Sequence, residues 1–209
     1  MTPTPPTEAR MSIDCLLWDF GNTLCHETFI WSSGPEWKTL YRSFDEGIGR
    51  AWNAGEIDMA AFARAASETI PLPPDAIVAH MRERCRHIEF FEFTYRFFKA
   101  RHLPQAIVTV NPDLWTETIV PLYRFDDPAD VIVSSWQEGT IDKGVLCQLA
   151  LDRMSLPCPP SRALLIDNMQ ANLDAWSARG GKGYLYTTDE AFERDVAIGI
   201  DGLLSPAAG

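Results

Sequence analysis

From residue 105 onward the chain alternates short apolar runs with amphipathic stretches, and that rhythm restricts the fold more than any other feature. Gln105-Ala106-Ile107-Val108-Thr109-Val110, Asp130-Val131-Ile132-Val133-Ser134-Ser135, Arg162-Ala163-Leu164-Leu165-Ile166-Asp167 and Gly183-Tyr184-Leu185-Tyr186 read as strands. Between them, Pro112 to about Tyr123, Lys143 to Met154 and about Gln170 to Ala178 read as helices, with Gly180-Gly181 closing the last. A further strand lies near the start, Ile13-Asp14-Cys15-Leu16-Leu17. Strands that alternate with helices imply a doubly wound α/β architecture, a parallel sheet with right-handed crossovers and both faces covered.

The segment from 27 to about 87 breaks this rhythm. Trp37, Leu40, Tyr41, Phe44, Ile48 and Trp52 recur at helical spacing, and Asn53-Ala54-Gly55 closes the run. Asp58 is placed to cap the next helix, and after Pro71, Pro73 and Pro74 a third runs from Asp75 to about His87. An aromatic-rich helix from Phe90 to Arg101 then leads back to the alternating pattern. The organisation expected is an α/β core of residues 11–26 and 88–204, a helical insertion of residues 27–87, and a disordered tail of residues 1–10. Trp31, Trp37 and Trp52 suit a core or the wall of a pocket.

Composition narrows the partners. A chain of 209 residues with 46% hydrophobic and 22% charged content buries an ordinary core. Its net charge of −11 argues against nucleic acid or an anionic membrane. Arg82, Arg84, Arg86 and Arg96 are interleaved with Glu83, Glu89 and Glu92, the pattern of a solvated helix face. The five cysteines are odd in number and form no C-x-x-C pair, which points to reduced thiols in a cytoplasm. No apolar stretch is long enough for a membrane span, and the opening residues lack the regions of a signal peptide. Oligomeric state is not legible.

Four strand ends carry polar residues: Asp19, Thr109, the Ser134-Ser135 region leading to Lys143, and Asp167. In a parallel sheet these ends share one edge, where open α/β sheets bind ligands. Asp19 follows the first strand, and Gly21-Asn22 turns the chain there, which makes Asp19 a candidate nucleophile or metal ligand. Taken singly, each residue has a plain structural reading: Asp19 and Asp167 as turn formers, Thr109 as a β-branched strand residue, Lys143 as a helix-start lysine. A lysine at a helix N-terminus opposes the helix dipole, however, and so asks for a reason.

The ordered set Asp19-Phe20-Gly21-Asn22-Thr23-Leu24, Thr109, Lys143 and Ile166-Asp167-Asn168 with Asn172 resembles the haloacid dehalogenase-like (HAD) hydrolase superfamily, over about residues 13–187. The helical insertion is similar to the C1-type cap of its subfamily I. Ala54 to Phe62 resembles a stretch of caps in the branch whose first motif runs Asp-Phe-Gly-Asn. The resemblance implies a Rossmann-like core and a Mg²⁺-dependent phosphatase acting on a small phosphorylated metabolite. Asp19 would attack phosphorus and form an aspartyl-phosphate. Thr109, Val110, Asn111 and Lys143 would hold the phosphate. Asp19, Asp167 and the carbonyl of Gly21 would hold Mg²⁺, with Asn168 and Asn172 supporting. About four negative charges would meet about three positive ones.

The chain departs from the pattern at Gly21, where phosphatases of the superfamily carry a second Asp as general acid and base. Its loss would slow turnover of poor leaving groups by about 10²- to 10⁴-fold unless another group substitutes. His26 is a candidate substitute, or a loop histidine facing solvent. The departure leaves two alternatives, a catalytically impaired relative that binds a phosphorylated ligand or partner, and a 2-haloacid dehalogenase.

Overall fold

Five parallel strands form one sheet in the order β3-β2-β1-β4-β5. They are β1 (Cys15–Trp18), β2 (Gln105–Thr109), β3 (Val131–Ser134), β4 (Ala163–Asp167) and β5 (Lys182–Leu185). The computed structural model describes residues 13–27, 34, 35, 37, 38, 47–155 and 157–199. The expected N-terminal tail, together with Trp31, Leu40, Tyr41 and Phe44, lies outside them. The α/β architecture read from the sequence is the one observed. β1 is central, and the chain winds from it to one side through β2 and β3, then returns to place β4 and β5 on the other. The winding direction therefore reverses between β1 and β4, where such sheets open a crevice beyond their carboxyl ends.

Side chains alternate across the sheet, and each face is buried. Leu16, Trp18, Ile107, Leu164 and Ile166 lie in one apolar cluster with Phe98, Trp115, Phe125 and Phe192. Cys15, Leu17, Ala106, Val108, Val133 and Leu165 lie in the other, with Leu146, Cys147, Ala150, Leu173 and Trp176. The second face is covered by α7 (Lys143–Arg153) and α8 (Gln170–Ser177). The first is covered by α4 (Glu92–Ala100), by the segment after β2, and by α9 (Asp189–Ile198). Of these, α9 has no counterpart in the strand and helix reading, although Phe192 and Val196 sit at i, i+4 spacing behind an N-cap, Thr188.

Between β1 and β2 the described chain contains α1 (Gly47–Asn53), α2 (Met59–Ala66) and α3 (Pro74–Arg84). Asp58 caps α2 by accepting from the Ala61 N–H at 2.7 Å. Trp37 and Trp52 are core residues. The insertion is tied to the sheet through Asp113, a buried carboxylate that accepts from Trp52 Nε1 at 2.7 Å and from the Met59 N–H at 2.8 Å. A second tie joins it to α6 (Ser135–Glu138), a short helix absent from the sequence expectation: Trp136 Nε1 donates to the Ile57 carbonyl at 3.0 Å. Gly55 permits this approach. Its φ is +74°, and a Cβ there would lie 2.3 Å from the Trp136 carbonyl oxygen.

One helix departs from expectation. Pro112 to Tyr123 reads as continuous, but Trp115–Ile119 is a π-helical turn followed by α5 (Val120–Tyr123). Pro121 explains the break, because it has no N–H and its ring would clash with the carbonyl four residues back. No helix among the described residues is long and apolar enough to cross a membrane.

Candidate active site

Register brings the two key aspartates together. β1 pairs with β4 so that Trp18 lies opposite Ile166, and the Asp19 N–H continues the ladder by donating to the Ile166 carbonyl at 3.0 Å. Asp19 and Asp167 are therefore the next residues on adjoining strands, on the sheet face that α7 covers. Lys143 opens α7 behind its N-cap, Asp142, which accepts from the Val145 N–H at 3.0 Å. From there its ammonium reaches both carboxylates, Asp19 Oδ1 at 2.5 Å and Asp167 Oδ2 at 3.0 Å. A lysine against the helix dipole thus has its reason.

All three groups are withdrawn from water: Asp19 is 9% exposed, Lys143 2% and Asp167 0%. Burial pushes the Asp19 carboxyl up to about 7; Lys143 pulls it down, and Asp167 pushes it further up. Burial alone would lower the Lys143 pKa, but Asp19 and Asp167 together raise it above its ordinary value, so the ammonium stays charged. Asp167 is held by its own turn. Its Oδ1 accepts from the Met169 N–H at 2.8 Å, and Asn172 Nδ2 reaches both oxygens at 3.1 and 3.0 Å.

The remaining predicted residues join this cluster unequally. Thr109 is buried at the end of β2, but its hydroxyl accepts from Asn111 Nδ2 at 2.6 Å. The Asn111 carbonyl in turn accepts from Ser134 Oγ at 2.9 Å, which fixes the loop carrying Val110. Asn168 is half-buried and lines a cleft of about 710 Å³ with Asn22, His26, Phe91 and Tyr186. His26 is exposed, with its ring packed on Phe91 at 4.2 Å between centroids. Glu27 was missed from sequence, where it reads as the first residue of the insertion. It folds back on the first-motif loop: Asn22 Nδ2 donates to Glu27 Oε2 at 2.8 Å, and the Glu27 N–H donates to Asn22 Oδ1 at 3.3 Å.

The donor set suits a hard divalent cation. Among the described residues no group of three or more His, Cys, Asp or Glu side chains is arranged around a metal. Asp19 and Asp167 instead form a pair of carboxyl groups around one ammonium. Mg²⁺ is commonly held by one or two carboxylates and several waters, which fits such a pair.

No family model matches the sequence, and no curated protein matches it. Solved structures do. A HAD family enzyme from Bacteroides thetaiotaomicron superposes with a TM-score of 0.69 at 14% identity, over 88% of this chain and 98% of its own. It is also known as a complex with magnesium and inorganic phosphate. A predicted HAD-like family hydrolase from Porphyromonas gingivalis gives 0.64 at 16% identity, over 87% and 97%. L-2-haloacid dehalogenase from Xanthobacter autotrophicus gives 0.63 at 13% identity, over 93% and 85%. With its 3-2-1-4-5 parallel sheet and a helical insertion after β1, this chain has the haloacid dehalogenase-like fold.

Proposed function

We propose that this protein is a HAD-type hydrolase, a Mg²⁺-dependent phosphatase of a small phosphorylated metabolite, with the helical insertion of residues 27–87 as its cap. One observation carries the reading: two buried carboxylates on adjoining strand ends share a single buried ammonium. Such an arrangement suits a dianionic group and a divalent cation better than it suits structural stability, because a buried ion cluster is costly to fold.

Asp19 and Asp167 would hold the cation, which supplies charge neutralisation at the phosphoryl oxygens. Asp19 Oδ attacks phosphorus, and the bond from phosphorus to the leaving oxygen breaks as the aspartyl-phosphate forms. Lys143 neutralises charge on the transferring group. Thr109, Val110 and Asn111 are its hydrogen-bonding loop, Asn172 orients Asp167, and Asn168 would support the metal shell. Water then attacks phosphorus and frees Asp19. The test is phosphate release from p-nitrophenyl phosphate with and without Mg²⁺, in the natural protein and in Asp19→Asn. Release that needs both Mg²⁺ and Asp19 is expected; equal rates in the two proteins, or none in either, would sink the reading.

A second reading, 2-haloacid dehalogenation, is favoured by the fold shared with the Xanthobacter enzyme and by Gly21 at the acid position. There Asp19 would attack carbon with no metal. Chloride release from a 2-chloro acid in EDTA, lost in Asp19→Asn, would replace the phosphatase reading.

A further inference from the structure

The residue two positions after Asp19 is Gly21, so this chain has no side chain where a leaving-group acid would be attached. The space is not empty. A Cβ built on Gly21 would lie 3.2 Å from the carboxyl carbon of Glu27 and 3.5 Å from its Oε1. An Asp at position 21 would place its own carboxyl in this same region, within about 2.5 Å of that Cβ by ordinary bond lengths.

The residues before Gly21 alternate between the two faces of the sheet. Leu16, Trp18 and Phe20 belong to one apolar cluster, and Cys15 and Leu17 belong to the other. Asp19 continues the second set toward Lys143. Gly21 follows at an isolated bridge to Cys25, inside the turn that Phe20 opens by accepting from the Leu24 N–H at 2.9 Å. The Glu27 carboxyl is fixed there by Asn22, whose side chain meets it at 2.8 Å. Asn22 has φ of +55°, a conformation Asn tolerates better than most residues. The pair Gly21-Asn22 thus does two things: the glycine leaves room, and the asparagine holds what fills it.

We infer that Glu27, delivered from six residues downstream and oriented by Asn22, is the leaving-group acid and hydrolytic base of this site. The inference rests on the phosphatase reading above. When the phosphorus–oxygen bond breaks, the Glu27 carboxyl gives its proton to the departing oxygen, and the alcohol leaves. In the second half, water attacks the phosphorus of the aspartyl-phosphate and Glu27 takes the proton of that water. Asp19 departs as carboxylate, and Glu27 is again protonated. His26 lies nearby, its ring packed on Phe91 in the cleft it lines with Asn22 and Asn168.

The experiment compares an alkyl phosphate, a poor leaving group, with p-nitrophenyl phosphate, a good one, both with Mg²⁺. Glu27→Gln keeps the shape and an acceptor for Asn22. It is expected to lower alkyl ester turnover about 10²- to 10⁴-fold and aryl ester turnover by less than about 10-fold. The double variant Glu27→Ala/Gly21→Asp, in which the new carboxyl has room, is expected to regain at least about 10-fold on the alkyl ester relative to Glu27→Ala. If Asp19→Asn abolishes release while Glu27→Gln changes neither ester, or lowers both alike, the inference falls and the phosphatase reading survives. If the natural protein releases no phosphate from either ester, both fall. Circular dichroism melts of each variant separate lost folding from lost chemistry, and the double variant regaining nothing while folded also overturns the inference.

Discussion

At the residue scale, the molecule concentrates its unusual chemistry in one lysine. Lys143 is a long, charged side chain in a buried setting, and among the described residues its ion-pair partners are Asp19 and Asp167. Replacing it by Met leaves two buried carboxyl groups without their cation. Breaking a buried pair in this way costs about 3–5 kcal/mol, which chemical denaturation of Lys143→Met in EDTA should show. The sign with pH follows from Asp19. Its folded-state carboxyl lies near 7 against 3.8 for the unstructured group, so the native state binds a proton that the unfolded chain has lost. Stability from this group is greatest at low pH and is lost as pH rises through that window. Removing Lys143 pushes the carboxyl higher still, so the deficit of the variant should grow between pH 5 and pH 8. A deficit that is flat with pH would mean Lys143 serves packing alone.

At the element scale, the question is what holds the helical insertion on the sheet. Asp113 stands at the start of the helical segment after β2 and accepts from Trp52 Nε1, the Met59 N–H and the Leu114 N–H. Trp52 lies on α1, Met59 opens α2, and Leu114 lies on the core side, so one carboxylate joins three pieces of chain. Asp113→Ala would leave two buried donors of the insertion without an acceptor, at about 1–3 kcal/mol each. The expected loss is about 2–5 kcal/mol in denaturant unfolding, with faster proteolytic cleavage inside residues 47–84. Cleavage at an unchanged rate would show that the apolar contacts of Trp52 and Phe62 suffice. None of this was legible in sequence, because Asp113 beside Pro112 has the form of an ordinary helix start.

At the scale of the whole molecule, the proposed cation would link metal binding to the fold through the sheet edge. Asp19 belongs to the central strand and Asp167 to its neighbour, so a cation bound between them ties β1 to β4 and stabilises only the folded state. At a concentration one hundred times its dissociation constant, Mg²⁺ would add about 2.7 kcal/mol. For a domain of this size that is roughly 5–10 °C in melting temperature. A thermal melt of the natural protein with Mg²⁺ should show the rise, and Asp167→Asn should not. Equal shifts in both would place the cation elsewhere. The net charge of −11 attracts cations without specificity, so Ca²⁺ and high NaCl serve as the controls for that background.

The helices at Ser135–Glu138 and Asp189–Ile198 were not readable from the chain alone, while the order of the strands, the parallel sheet and the shared edge of Asp19 and Asp167 were. Each rests on local periodicity plus the rule that parallel strands end on one edge, and neither needs knowledge of distant contacts. The π-helical turn at Trp115–Ile119 was hidden although Pro121 signalled it, since helical periodicity persists through the turn. The position of Glu27 was hidden for a deeper reason. Its approach to Gly21 depends on a left-handed Asn22 and a folded-back loop, and such geometry follows from packing and not from any repeat in sequence. Sequence decided which groups reach the edge of the sheet; only tertiary packing decided which carboxyl fills the space a glycine leaves, because that space exists only once the loop has closed.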